Sequence, residues 1–282
     1  MLIDFASRPP LPEFSKTGTH LGNYRKVYEK SEKLTAPRGD ADALADYFAM
    51  YDRVGADVVV LKARDLETTF GFAITNDDVA AFCKAHGPRF IGFAGVDPHK
   101  PDAVDELRRA VQELGLRGLN VQCFEHLMSA DDSRLYPLYA ACVELDIPVN
   151  IHCGVNFARP APMTYGKPEA IDRVLVDFPT LRVCASPPGW PWVNELIAVA
   201  MRHPTLYIGL VAIRPKLLAT AGSGYEQLLQ YGRTLLADRM MFGSSFPLVP
   251  VERSVEEIRA LPLTDGVRDK WLGLNAAAFL RL

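Results

Sequence analysis

FAGVDPHKPDAVDELRRAVQELGLRGLNVQ, residues 93–122, holds one strand–helix–strand unit almost complete. It begins inside an apolar run, Phe90–Ala94, and ends with another, Gly118–Gln122. Between them Val104, Leu107, Val111 and Leu114 recur at three- and four-residue spacing, which places them on one face of a helix over Pro101–Leu114. Gly115 stands where such a helix stops. Two extended runs joined by a helix are the unit of a parallel sheet, because parallel strands need a long crossover.

The same unit repeats in both directions. Further strands are expected at Leu2–Phe5, Asp57–Leu61, Pro148–His152, Leu181–Ala185, Thr205–Leu210 and Met240–Gly243. Helical patterns fall between them at Asp40–Val54, Asn76–His86, Ser133–Leu145, Pro168–Phe178, Pro191–Arg202 and Tyr225–Leu236. The strands are continuously apolar rather than alternating, as strands covered on both faces are. With the two already described they make eight, and strict alternation predicts an α/β fold, the (β/α)8 TIM barrel, as a single domain over residues 1–282. An open doubly wound sheet would need a glycine-rich turn after its first strand, but Ala6–Pro12 has no glycine and three prolines. The tail from Val251 is expected to add two helices that close the outer ring.

Composition narrows the function classes. A net charge of −3, from 31 basic and 34 acidic residues, gives no general attraction for nucleic acid or an anionic membrane. No run approaches the ~20 apolar residues of a membrane span, and no leader pattern is seen, so a cytoplasmic protein is expected. Five cysteines without a C-x-x-C pair suggest neither a disulfide framework nor a zinc knuckle. Cys83 and Cys142 fall in helical patterns as core, while Cys123, Cys153 and Cys184 near strand ends leave a nucleophile open. The apolar fraction suggests a homo-oligomer.

In a barrel, chemistry sits at the C-terminal ends of the strands. Those ends offer Ala6, Ser7 and Arg8, then Lys62 and Arg64, Asp97 and His99, Asn120 and Gln122, His152 and Cys153, Ser186, Arg214, and Ser244 with Ser245. The set is rich in donors and poor in carboxylates; Asp97, in V-D-P-H, reads as a turn cap. His152 suits proton transfer, against the alternative of a satisfied buried histidine. Arg8 reads equally as a structural charge or as a clamp on a carboxylate. Ser186 and Ser245 are candidate nucleophiles or mere space-fillers. The long loop Pro9–Glu29, with Lys16, Thr17, Thr19, His20, Tyr24 and Arg25, is a candidate lid. His20, Tyr24, Tyr165, Trp190 and Arg214 join Asn120, Gln122, Lys62 and Arg64 as candidate substrate contacts, and their charge suits a small anionic or phenolic ligand.

Several stretches resemble one family from end to end: residues 93–122 above, DDSRLYPLYAACVELDIPVNIHCG (Asp131–Gly154), PGWPWVNELIAVAMRHPTLYIGL (Pro188–Leu210) and MMFGSSFP (Met240–Pro247). They are similar to the amidohydrolase-related family that includes aminocarboxymuconate semialdehyde decarboxylase, resorcylate decarboxylases and pyrone dicarboxylate lactonase. The resemblance implies metal-ligand positions at Ala6, Arg8, His152 and Ser245, and a catalytic histidine where Ser186 stands. Of these only His152 carries the expected side chain. Ala6 cannot ligate and Arg8 brings a permanent positive charge, so no metal and no cofactor are expected. The resemblance leaves open hydrolysis or related proton transfer, nonhydrolytic decarboxylation, and an inactive ligand-binding barrel. Hydrolysis is the first expectation, because decarboxylation in the family leans on the metal as electron sink.

Overall fold

The computed structural model describes residues 1–24, 26 and 41–282. Among the described residues ten strands form in chain order: β1 Ile3–Ser7, β2 Val58–Lys62, β3 Arg64–Leu66, β4 Phe72–Ile74, β5 Phe90–Phe93, β6 Leu119–Val121, β7 Val149–His152, β8 Val183–Ser186, β9 Leu206–Leu210 and β10 Met240–Phe242. Eight of them are the strands expected from sequence. They pair in parallel as β1–β2–β5 and β6–β7–β8–β9–β10. Parallel bridges Ala94↔Leu119 and Ser7↔Phe246 join the two arcs at both seams and close the barrel.

Side-chain alternation divides each strand between two cores. On β2, Val59 and Leu61 pack outward against the helices, while Val58 and Val60 turn inward with Ile3, Phe5, Ile91, Phe93, Cys184 and Met241. The outer helices follow the sequence periods closely, for example Asn76–His86 and Pro168–Asp177. Thr75 rather than Asn76 caps the first of these, its Oγ1 accepting the Asp78 N–H at 3.0 Å.

Two regions depart from expectation. The C-terminal helix, Asn275–Leu280, does not extend the outer ring. It plugs the lower end of the barrel, with Phe279 edge-on to Phe5 at 5.5 Å and to Tyr207 at 5.0 Å. A barrel of eight strands has an apolar lower opening, and covering it removes that surface from water. The second departure is the β3–β4 hairpin, which turns at Gly71 (φ 70°) and pairs Arg64 with Ile74. Strands this short give no periodicity to read, yet the hairpin fixes Arg64 at the barrel mouth.

A buried carboxylate ties β1 to β10. Asp4 accepts hydrogen bonds from Tyr51 Oη (2.7 Å), Ser244 Oγ (2.5 Å), Ser244 N (2.8 Å) and Ala6 N (3.1 Å). Ser244 is therefore a structural strut, and it sets the turn that holds Ser245 at φ 54°.

Candidate active site

The loop that follows β6 supplies the charged centre of the mouth. Glu125 is fully buried, and Arg64 Nη1 donates to its two carboxylate oxygens at 3.0 and 3.2 Å. His20 Nε2 donates to the same carboxylate at 3.1 Å, and the imidazole stacks on Phe70 with centroids 3.7 Å apart. Burial alone would raise the Glu125 pKa, but Arg64 and His20 outweigh it and bring it down to about 2. Glu125 was not singled out from sequence, although it lies four residues beyond the strand Leu119–Val121, in the kind of loop where barrel chemistry sits.

Arg64 keeps two donors, Nε and Nη2, buried without a partner. Arg8 is half-buried, and no hydrogen bond or ion pair holds its guanidinium among the described residues. Burial and the neighbouring Arg64 push the Arg8 pKa down to about 9, with Glu125 opposing, and at neutral pH it stays charged. Two guanidiniums thus stand near one carboxylate, which Arg64 bonds and Arg8 does not. The mouth carries an uncompensated positive charge with free donors, an arrangement suited to a carboxylate ligand.

His152 lies at the end of β7, edge-on to Phe124 at 4.5 Å, with Nδ1 buried and unpartnered. Burial lowers its pKa to about 4, and burial likewise lowers His126 to about 4. Both rings are neutral at pH 7.

The β6–β8 side of the mouth is built differently. Ser186 Oγ donates to Asn150 Oδ1 (2.7 Å), Asn150 Nδ2 donates to Asn120 Oδ1 (3.0 Å), and Gln122 Nε2 donates to the same oxygen (2.9 Å). Asn120 Nδ2 in turn donates to the Ala63 carbonyl at 3.0 Å. Ser186 is therefore bound to an amide rather than to His152, and the Asn120 amide is occupied within the fold. Asn150 completes the ladder and was not singled out in the sequence.

The remaining candidates divide by position. Lys62 ends β2 with its Nζ 4.3 Å over the Phe5 ring, and burial lowers its pKa to about 8. Tyr24, in the later part of the expected lid, packs against Phe124 and Phe157. Arg25 lies outside the described residues. Tyr165 packs half-buried beside Ala158 and Ala161. Trp190 is exposed on the rim, and Arg214 is paired with Glu257 of the helix Val251–Ala260, away from the cationic centre. Asp97 caps its turn as expected, accepting from Thr68 N and His99 N at 3.0 Å each. Cys123 and Cys184 are buried with pKa values pushed up to about 12, and burial raises Cys153 as well, so none is a thiolate. Hollows of about 230 and 260 Å³ open elsewhere: one on the flank beside Asp65, Asp97 and Lys100, the other on the underside by Asp146 and Arg182.

A family model described as amidohydrolase matches residues 17–282. The chain belongs to the amidohydrolase family. A solved structure of an uncharacterized TIM-barrel protein from Bordetella bronchiseptica is 31% identical over 99% of this chain and 98% of that one, with a TM-score of 0.84. Two curated relatives match over shorter stretches. The 2-amino-3-carboxymuconate-6-semialdehyde decarboxylase of Dictyostelium discoideum is 32% identical over 78 residues, 27% of this chain and 22% of that protein. The gamma-resorcylate decarboxylase of Rhodococcus jostii (strain RHA1) is 36% identical over 87 residues, 27% of this chain and 26% of that protein. The match thus spans about a quarter of each curated relative.

The divalent cation implied by the family does not fit the residues present. At the positions where the resemblance implies ligands, Ala6 has no donor, Arg8 carries a guanidinium, and Ser245 offers a neutral hydroxyl. Among the described residues no group of three or more His, Cys, Asp or Glu side chains is arranged to hold a metal ion.

Proposed function

We propose that this chain is a carboxy-lyase that releases CO2 from a small anionic substrate, with Arg8 and Arg64 holding the carboxylate. The observation that carries the reading is the pair of guanidiniums with free donors beside a single buried carboxylate. The decarboxylase names of both curated relatives support it.

Hydrolysis, the first expectation from sequence, is less well supported. It needs a base to activate water, and efficient bases titrate near the working pH. Glu125 sits at about 2 and is already paired, while His152 and His126 sit at about 4. Decarboxylation asks instead for a clamp on the carboxylate, a dry environment and an acceptor for the electrons of the breaking bond. Phe124, Phe70 and Phe72 line the mouth with apolar surface, and Arg8 brings positive charge to it. In this reading the substrate carboxylate docks on Arg8 and the free donors of Arg64, and neutral His152 contacts the leaving group without competing for its charge.

CO2 release from a panel of hydroxybenzoates and oxo-carboxylates, measured with and without a strong chelator, tests the reading. Turnover of at least one carboxylate, unchanged by chelator, is the expected result. Hydrolysis of lactones or esters with no CO2 from any carboxylate would overturn it.

A further inference from the structure

Beyond β5 the chain turns through Val96–Lys100, V-D-P-H-K, and side chains of this turn reach both loops that build the cationic centre. Toward the β3–β4 hairpin, Asp97 Oδ2 accepts the Thr68 N–H at 3.0 Å, and Lys100 Nζ donates to Asp65 Oδ2 at 2.7 Å and to Glu67 Oε2 at 2.6 Å. That hairpin begins with Arg64 and carries Phe70, on which His20 stacks. The approach is close: a Cβ at Gly95 would lie 2.4 Å from the Ala63 carbonyl, in the chain that leads into Arg64. Toward the loop after β6, His99 Nε2 meets the His126 carbonyl at 2.9 Å, one residue from Glu125. The other ring nitrogen, Nδ1, faces Arg134 Nη1 at 3.1 Å, and Asp132 holds Arg134 through Nε (2.8 Å) and Nη2 (2.7 Å). A guanidinium only donates and a carbonyl only accepts, so the two contacts fix the ring with its hydrogen on Nε2. The carbonyl that His99 grips belongs to the peptide entering Leu127, whose φ of 55° lies in the left-handed region that its side chain disfavours. Such a conformation persists where surrounding bonds over-determine it.

We propose that His99 is a positioning residue for the anion site: through the His126 carbonyl it fixes the Glu125 loop, and Glu125 in turn orients Arg64 so that Nε and Nη2 stay free for a ligand. Arg64 commits Nη1 to both Glu125 oxygens, so the place of that carboxylate decides which donors of the planar guanidinium remain and where they point. Asp97 and Lys100 anchor the Arg64 hairpin from the same turn, so one short piece of chain sets both members of the pair. Without the His99 hydrogen bond, Leu127 relaxes toward an ordinary φ, the loop shifts, and Arg64 follows its carboxylate. The inference goes beyond the carboxy-lyase reading, because it concerns how the anion site is held, whatever then happens to the anion.

Two substitutions separate positioning from mere packing. His99→Gln places an amide N–H where Nε2 donates, whereas His99→Leu fills the space without a donor. Hydrogen exchange read by mass spectrometry should rise about tenfold in peptides covering residues 64–70 and 123–128 of His99→Leu, as loss of one buried hydrogen bond implies, with peptides from β7 to β9 unchanged. Calorimetric affinity for acetate, benzoate or 2-hydroxybenzoate should weaken roughly tenfold in His99→Leu and return to within about threefold of the parent in His99→Gln. Unchanged affinity in His99→Leu, whatever its exchange, would make His99 structural and overturn the proposal, as would an equal loss in both variants. Faster local exchange in His99→Leu, restored in His99→Gln, with a parent that binds none of the three carboxylates, would sustain the hold of His99 on the Glu125 loop and remove the carboxy-lyase reading instead. If His99→Leu does not fold, NMR of the parent labelled with 15N-histidine decides: the Nε2–H tautomer is expected at His99, and the Nδ1–H tautomer would overturn the proposal.

Discussion

Across the mouth of the barrel, the β6–β8 wall links its amides and hydroxyl to one another, whereas the β1–β3 wall holds cations with donors to spare. On the first wall Ser186, Asn150, Asn120 and Gln122 form one ladder ending on the Ala63 carbonyl. On the second, Arg8 is unpaired and Arg64 leaves two donors open. Buried polar groups that satisfy one another rigidify a fold; buried donors left open are costly, and are kept where a ligand completes them. The ladder reads as framework, and the proposed function places the ligand on the cationic wall. The contrast also bears on Ser186, whose hydroxyl hydrogen goes to Asn150 rather than to a base.

The comparison breaks most severely at Glu125. Glu125→Gln removes the anion that Arg64 and His20 share, and leaving a buried charge uncompensated costs about 3–5 kcal/mol. Urea unfolding should show that loss, and a midpoint within error of the parent would mean that the cluster is not held by charge.

Arg8 is expected to behave oppositely. Arg8→Met removes an unpaired, half-buried charge, so stability should hold or rise, while kcat/KM for a carboxylate substrate drops about 100-fold, equivalent to about 3 kcal/mol. A large fall in stability with unchanged kcat/KM would make Arg8 a structural charge instead.

The two buried histidines bring a pH dependence of intermediate size. Burial lowers His126 and His152 in the folded state to about 4, whereas in the unfolded chain they titrate near 6.5. Below the unfolded value the unfolded chain binds protons that the folded one refuses. Stability is therefore whole above about pH 6.5 and declines as pH falls toward 4. At pH 5 the loss is on the order of 2 kcal/mol per histidine. Chemical denaturation at pH 7 and pH 5 measures it, and His152→Asn should remove its share; an identical midpoint at both values would sink the assignment.

The smallest effect belongs to the ladder. Ser186→Ala deletes one buried neutral hydrogen bond and should cost about 1–2 kcal/mol of stability, with turnover changed only a few-fold. A loss of activity beyond 100-fold would restore Ser186 to the chemistry.

Local periodicity was sufficient for most of the architecture. The eight barrel strands and the helices at 76–86 and 168–177 follow from spacing alone, because side-chain period and element geometry are local properties. The β3–β4 hairpin was not legible, since three-residue strands are specified by pairing rather than pattern. Nor was the destination of the last helix, because an apolar face does not say whether it covers a barrel's side or its end. Of the site, the sequence marked Arg8, Lys62, Arg64 and His152 by position at strand ends. It passed over Glu125 and Asn150, which matter for whom they touch.

By itself, then, the sequence determined the alternating elements and the barrel they imply, and it set Ala6, Arg8 and Ser245 where the resemblance implies ligands, all of which are properties of neighbours along the chain. Only the tertiary structure decided which charges remain free. Glu125 is 61 residues from Arg64 and 105 from His20, and barrel closure brings all three together. The same closure leaves Arg8 and Lys62 without a bonded carboxylate among the described residues, because the neutralisation of a buried charge depends on distance in space, which no spacing in sequence encodes.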